Sequence, residues 1–164
     1  KNQVLTSTIC CGLMLVLLAG LGWQYGLGAL LKFYGMPYLV FVIWLDLVTF
    51  LHHTDADIPW YRGRDWYFLK GALSTIDHDY GILNHVHHDI GTHVVHHVFL
   101  SIPHYHLLEA TEAAKPVLGE FYRKSELPIW KALWQSYRDC RYVSDQGSRV
   151  YYQPSRPFGL RRRG

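Results

Sequence analysis

NQVLTSTICCGLMLVLLAGLGWQYGLGALL, residues 2–31, contains no charged side chain. As an α-helix with a rise of about 1.5 Å per residue, it would be roughly 45 Å long and would cross a bilayer with length to spare. Soluble cores rarely contain so long an uncharged run. The stretch therefore predicts a membrane-spanning helix, and a buried helical hairpin in a soluble protein is the alternative.

A second apolar run, MPYLVFVIWLDLVTFL, follows at residues 36–51 and carries a single charged side chain. Between the two runs, Lys32, Gly35 and Pro37 have the chemistry of a turn. We expect an all-α integral membrane fold in which residues 2–51 form a transmembrane helical hairpin. Both ends of this hairpin would then lie on one side of the membrane.

Charge divides the rest of the chain into two regions. Residues 52–120 hold four basic and nine acidic side chains, whereas residues 121–164 hold ten basic and three acidic ones. A basic tail beside long apolar segments marks the cytosolic or stromal side of a membrane protein, so no nucleic-acid partner is expected. We expect a helical, histidine-rich cap at residues 52–123, with a helix at Leu107–Val117, and a basic tail at residues 124–164.

Histidines concentrate in HDIGTHVVHHVF, residues 88–99, where His93, His96 and His97 have the spacing H-x-x-H-H. On a helix, positions i, i+3 and i+4 lie on one face, so the three imidazoles would point at one spot. Neutral imidazole is the commonest metal ligand of proteins and suits iron, zinc and copper. The spacing predicts three metal ligands, and stacked or surface histidines are the alternative.

Further ligands have to come from elsewhere in the histidine-rich region. His88 is followed by a carboxylate, and His53 closes the second apolar run, so both are candidates and the choice between them stays open. Asp89, Asn84 and His52 are candidates for orienting the ligands. An all-histidine site with more than four ligands favours two metal ions over one tetrahedral zinc. The histidines expected not to touch the metal are His78, His85, His87, His104 and His106.

Four runs carry a resemblance to a known family. They are FVIWLDLVTFLHHT (41–54), IPWYRGRDWYFLKGALSTIDHDYG (58–81), HHDIGTHVVHH (87–97) and IPHYHLLEATEAAKPVLGEFYR (102–123). Through them the chain resembles the membrane-bound fatty-acid desaturases, and within that family the omega-3 acyl-lipid branch of cyanobacteria and plastids. His93, His96 and His97 match the third histidine box of the family. His53 follows the last span, where related desaturases place a further ligand, and His78 stands where the family usually has Arg.

The resemblance implies an incomplete site. The first two histidine boxes of the family lie upstream of the two spans, and nothing before His52 is a histidine. Residues 1–123 would then be the C-terminal half of a desaturase domain, and this fragment alone would be inactive. The complete site would hold two non-haem iron ions and use dioxygen as co-substrate, with no catalytic residue beyond the metal ligands.

The same resemblance implies a reaction and its partners. A cis double bond would be introduced at the omega-3 position of a dienoic fatty-acyl glycerolipid, converting linoleoyl to linolenoyl chains. Electrons would come from ferredoxin or from a b-type cytochrome. The membrane would be the thylakoid or plasma membrane of a cyanobacterium or a plastid membrane, rather than the endoplasmic reticulum. The alternatives are an omega-6 desaturase or hydroxylase of the same family and a non-enzymatic membrane metal-binding protein.

Overall fold

The computed structural model describes residues 2–155, so Lys1 and the arginine-rich end of the tail, residues 156–164, lie outside the described residues. The described chain is mostly helical, and its contacts divide it into one compact unit that ends at Asp46 and another that begins at Leu47. The α-helices are α1 (Asn2–Tyr25), α2 (Leu27–Leu30), α3 (Met36–His53), α4 (Phe68–Ala72), α5 (His93–Val98), α6 (Leu107–Leu118) and α7 (Ile129–Asp139). The strands are β1 (Pro59–Tyr61), β2 (Tyr142–Val143) and β3 (Arg149–Gln153).

The bend between the two apolar helices lies at Gly26, which separates α1 from α2 and has φ 84° and ψ 154°. Residues with a Cβ rarely adopt a φ in this range, so glycine permits the break. Gly22 and Leu30 approach each other across the bend, because a Cβ on Gly22 would lie 3.2 Å from Leu30 Cδ2. Side-by-side packing of the two helices beyond this bend stays a prediction.

The turn expected at Lys32, Gly35 and Pro37 is wrong, because the helix continues through these residues. Leu31–Gly35 form a π-helical turn that links α2 to α3. Pro37 then falls in the first turn of α3, where the irregular turn before it accommodates the missing N–H group. Both expected apolar helices exist, but the first is shorter and the second longer than the sequence suggested.

The apolar side chains of the two long helices are largely exposed. None of residues 2–25, all of which the structure describes, is buried. Asn2–Tyr25 and the continuous helix Leu27–His53 are each long and apolar enough, by length and composition, to cross a membrane. Apolar surface of this extent is unfavourable in water. The helices therefore need an apolar environment that the described chain does not itself supply.

The second unit contains a small antiparallel sheet in the order β1-β3-β2, which the all-α prediction missed. Trp60 of β1 lies opposite Val150 of β3, and the guanidinium of Arg62 donates a hydrogen bond of 2.5 Å to the carbonyl of Ser144. Strands of two to five residues are too short to show a clear alternating pattern in a sequence. Through this sheet, part of the expected basic tail belongs to the same compact unit as the cap.

The core of the second unit lies between the end of α3 and α5. Leu51 of α3 and Val94 and Val95 of α5 are fully buried. Between them lies Thr75–His78, called the 75–78 segment below, whose four residues are each at most 4% exposed. This segment connects the two helices that carry the candidate site. The predicted helix at Leu107–Val117 is confirmed as α6.

Candidate metal centre

Three imidazoles from two helices meet in the second unit. The Nε2 atom of His93 lies 3.2 Å from Nε2 of His53 and 3.0 Å from Nε2 of His97, and the candidate ligand atoms of all three side chains lie within 4.8 Å of one another. Nitrogen atoms that share a metal ion at about 2.1 Å are themselves roughly 3 Å apart. The distances from Nε2 of His93 to the other two Nε2 atoms therefore fit a shared metal ion.

The local structure explains why these three residues meet. His53 is the last residue of α3, and His93 is the first residue of α5. His97 lies four residues further along α5, so it is on the same face of the helix as His93. The rings of His53 and His97 are edge-on to each other, with centroids 4.9 Å apart. One histidine at a helix end and two on a single helical turn thus form the cluster, which we call the His53 cluster.

The electrostatic environment keeps His93 and His97 neutral. Burial, together with the neighbouring imidazoles, lowers the pKa of His93 from 6.5 to about 2. Burial and the nearby His53 and His96 lower the pKa of His97 from 6.5 to about 4. At neutral pH both rings therefore carry a free nitrogen lone pair, which is the form that binds metal.

The two ring nitrogens of His93 have different surroundings. His93 is buried, and its Nδ1 atom has no hydrogen-bond partner among the described residues. Its Nε2 atom faces two other imidazoles and makes no bond to the backbone scaffold. This donor set, composed of nitrogen alone, suits iron, zinc or copper.

His96 lies beside the His53 cluster but is not part of it. Its ring centroid is 5.5 Å from that of His93 and 5.9 Å from that of His97, and its nitrogen atoms do not join the group of close ligand atoms. Successive helical residues differ by about 100° in direction, so His96 and His97 face different sides. The expected convergence of all three histidines is therefore found for two of them, and the role of His96 as a ligand stays a prediction.

The structure brings His53, and not His88, to His93. His88 has a left-handed backbone conformation with φ 59°, and its exposed ring lies 4.3 Å from the ring of His104. The following residue, Asp89, has φ 54°. Two consecutive left-handed residues redirect the chain just before α5, and His88 is left outside the cluster.

The candidates for orienting the ligands separate into two groups. Asn84 accepts a hydrogen bond from the Tyr80 N–H group and donates one to Asp79, and its carbonyl accepts the Asp89 N–H group. These bonds shape the loop before α5. His52, in contrast, is fully buried and stacks on His93 with ring centroids 4.3 Å apart. Its position fits the expected role of orienting a ligand.

His52 is held by two bonds of its own. Its Nδ1–H group donates to the carbonyl of Ile76 over 2.6 Å, and its Nε2 atom lies 3.3 Å from the hydroxyl of Tyr80. His78, expected to lie away from the metal, is buried close by and its Nε2 atom bonds to the carbonyl of Leu51 at 3.1 Å. Sequence reasoning missed the contribution of Tyr80 and of the 75–78 segment.

The chain is similar to a known protein family and to several known proteins. The profile of the fatty acid desaturase family matches residues 1–130. The chain is 63% identical over 152 residues to the sn-1 acyl-lipid omega-3 desaturase (ferredoxin) of Nostoc sp. (strain 36), covering 93% of the chain and 42% of that relative. The protein of the same name from Synechocystis sp. is 64% identical over 153 residues, covering 93% of the chain and 43% of the relative.

A plant relative extends the likeness. The chloroplastic omega-3 fatty acid desaturase of Glycine max is 54% identical over 162 residues, covering 93% of the chain and 36% of that protein. The chain therefore spans about two fifths of the length of the relatives it matches. No solved structure matches it. Because the family profile covers most of its residues, the chain belongs to the fatty acid desaturase family.

Proposed function

We propose that this chain contributes part of the di-iron centre of an oxygen-dependent omega-3 acyl-lipid desaturase. The observation that carries the proposal is the His53 cluster, in which three imidazoles meet, in a chain so similar to omega-3 desaturases. The reaction would remove one hydrogen from each of two adjacent methylene carbons. It would leave a cis double bond, and these two hydrogens would combine with one dioxygen molecule, two electrons and two protons to give two water molecules.

In this proposal His53, His93 and His97 would hold one iron ion. His96 and His88 remain the candidates for ligands to the second iron, together with residues outside this chain. When bound, the iron pair would supply the activation of dioxygen, which amino-acid side chains cannot perform. The chain itself supplies neutral ligands, a buried environment around His93 and a ring of His52 that fixes the orientation of His93.

The names of the relatives support an acyl-lipid substrate and ferredoxin as electron donor. Both cyanobacterial relatives are named as acyl-lipid omega-3 desaturases that use ferredoxin. We propose a linoleoyl glycerolipid as substrate, a linolenoyl lipid as product and ferredoxin as donor, with a b-type cytochrome as the alternative donor. An unactivated C–H bond offers nothing for acid–base catalysis, so we propose no catalytic residue beyond the metal ligands.

The proposed location is a membrane. Asn2–Tyr25 and Leu27–His53 would span it, and the cap and tail would lie on the cytosolic or stromal side. A thylakoid or plasma membrane of a cyanobacterium, or a plastid membrane, agrees with the sources of the relatives. We keep the division into a desaturase domain at residues 1–123 and a tail at residues 124–164 as part of the proposal.

A chimera tests the function. This chain would replace the matching segment of the Synechocystis relative in a host that makes linoleoyl but no linolenoyl lipids, and the fatty acids would be measured by gas chromatography. We expect trienoic acids with the new double bond at the omega-3 position. An omega-6 or hydroxylated product would favour the alternatives within the family. No new product from an expressed, membrane-inserted chimera would contradict the proposal.

A further inference from the structure

The first turn of α5 depends on a hydrogen-bond acceptor from elsewhere in the chain. The first N–H groups of a helix have no partner within the helix, and the residue before it usually caps them. Here that residue is Thr92, and its hydroxyl donates to the carbonyl of Asp89 over 2.7 Å and makes no capping bond to α5 in the described chain. A helix of six residues is marginal without such support.

Asp77 supplies the missing acceptor. Its Oδ1 atom accepts the N–H group of Val94 over 2.7 Å, and its carboxylate also interacts with the backbone N–H group of His93. The hydroxyl of Tyr122 donates to Oδ2 of Asp77 over 2.9 Å. Asp77 is 2% exposed, and a carboxylate is stable at such a depth only when it is hydrogen-bonded in this way.

The backbone of Asp77 is anchored as firmly as its side chain. Its N–H group donates to the carbonyl of Arg123 over 3.0 Å, and its carbonyl accepts the N–H group of Ser125 over 2.9 Å. The carboxylate is therefore presented to α5 from a fixed point. A side chain fixed in this way determines where the first turn of α5 lies.

The residues before Asp77 bind the other helix of the site. The hydroxyl of Thr75 donates to the carbonyl of His52 over 2.7 Å. The N–H group of Ile76 donates to the same carbonyl over 3.2 Å, and the carbonyl of Ile76 accepts the imidazole N–H group of His52. One short segment thus holds the end of α3, which carries His53, and the start of α5.

We propose that Asp77 is a positioning residue of the metal centre, whose carboxylate sets the place of His93 and His97 relative to His53. This inference rests on the proposed metal-binding role of the His53 cluster. It adds a residue that is not itself a ligand and that acts through the backbone of α5. A role confined to fold stability would lower the melting temperature of variants but leave the metal affinity of the folded chain unchanged.

The test uses the purified Synechocystis chimera in detergent and Co²⁺ as the only added metal. Visible absorption of Co²⁺ reports both the dissociation constant and the ligand geometry, and circular dichroism reports folding. Asp77→Ala should weaken Co²⁺ binding about 10- to 100-fold, the usual effect of losing a group that orients a metal ligand. Asp77→Asn keeps an acceptor oxygen and should bind Co²⁺ as the wild-type chimera does.

If the Asp77→Ala variant does not fold, the Asp77→Glu variant still tests the inference. Glutamate retains the charge and the acceptor oxygens but is one methylene longer, so it should shift α5, weaken Co²⁺ binding and alter the absorption bands. Asp145→Ala is the matched control, since this carboxylate is exposed in the loop between β2 and β3, and it should leave affinity unchanged.

Three results would overturn the inference. A folded Asp77→Ala or Asp77→Glu chain with wild-type affinity and spectrum would show that Asp77 does not position the ligands. An Asp77→Asn chain as weak as Asp77→Ala would show that the acceptor oxygen is not what matters. No Co²⁺ binding by the wild-type chimera would contradict the metal site itself, which separates failure of the proposed function from failure of the inference alone.

Discussion

The ring of His52 stacks on the ring of His93, with centroids 4.3 Å apart and an interplanar angle of 25°. His52 is the neighbour of His53 in the chain, so consecutive residues serve the site in different ways. His53 directs a nitrogen at His93, and His52 packs against the face of the His93 ring. The orientation of His93 is therefore determined by packing as well as by its place on α5.

Replacing His52 should destabilise the second unit. His52→Ala removes a fully buried ring and the hydrogen bonds to Ile76 and Tyr80, which we expect to lower the free energy of unfolding by about 2–4 kcal/mol. His52→Phe keeps the stacked ring but loses the hydrogen bonds, so its loss should be smaller. Denaturant unfolding in detergent measures both, with His106→Ala, at an exposed position, as the control. An unchanged midpoint for His52→Ala would contradict this account.

Gly91 should tolerate no side chain. A Cβ at this position would clash with the carbonyl oxygen of His78, and the Gly91 carbonyl also accepts the His78 N–H group over 3.1 Å. Gly91→Ala should therefore push the chain away just before α5 and destabilise the fold by about 1–3 kcal/mol. Thermal unfolding checks this. Gly28→Ala is the control, because a Cβ there meets nothing within 4 Å, and equal melting temperatures for the two variants would refute the prediction.

The stability of the metal-free chain should fall below pH 6.5. The pKa of His93 is about 2 in the folded chain against 6.5 for an ordinary histidine. Between these values the unfolded state binds a proton that the folded state does not, so acid favours unfolding. For this one group the slope is at most about 1.4 kcal/mol per pH unit, and it vanishes above pH 6.5, where both states are neutral.

Unfolding of the wild-type chain and of His93→Gln, with chelator present, checks the pH dependence. The wild-type free energy of unfolding should decline as the pH falls from 6.5, with a further contribution from His97 until its pKa of about 4 is reached. The His93→Gln chain should decline less steeply. Equal slopes for the two chains would show that His93 is not the buried neutral imidazole described above.

The sequence predicted the parts of the site that depend on local spacing. His93 and His97 share a helical turn, so their meeting follows from four-residue spacing. The choice between His53 and His88 did not follow, because it depends on two left-handed residues, His88 and Asp89, that turn the chain before α5. Left-handed conformations at residues other than glycine are uncommon and leave no clear pattern in a sequence.

A long-range contact accounts for one further difference between the sequence-based expectation and the structure. The bond between Asp77 and Val94 joins residues 17 positions apart, and no periodic pattern signals such a pair.

Lys32, Gly35 and Pro37 looked like a turn because glycine and proline usually interrupt helices. Here the helix continues through these residues by way of a π-helical turn. The break in the helix lies instead at Gly26, the residue with the positive φ.

The iron content of the purified Synechocystis chimera shows most directly whether the His53 cluster binds iron. Atomic spectroscopy should find two iron ions per polypeptide in the wild-type chimera and a clear loss of iron in His93→Ala. His104→Ala, which changes an exposed histidine outside the His53 cluster, should keep the wild-type iron content. A folded His93→Ala chimera that retains the wild-type iron content would contradict the claim that the His53 cluster binds iron.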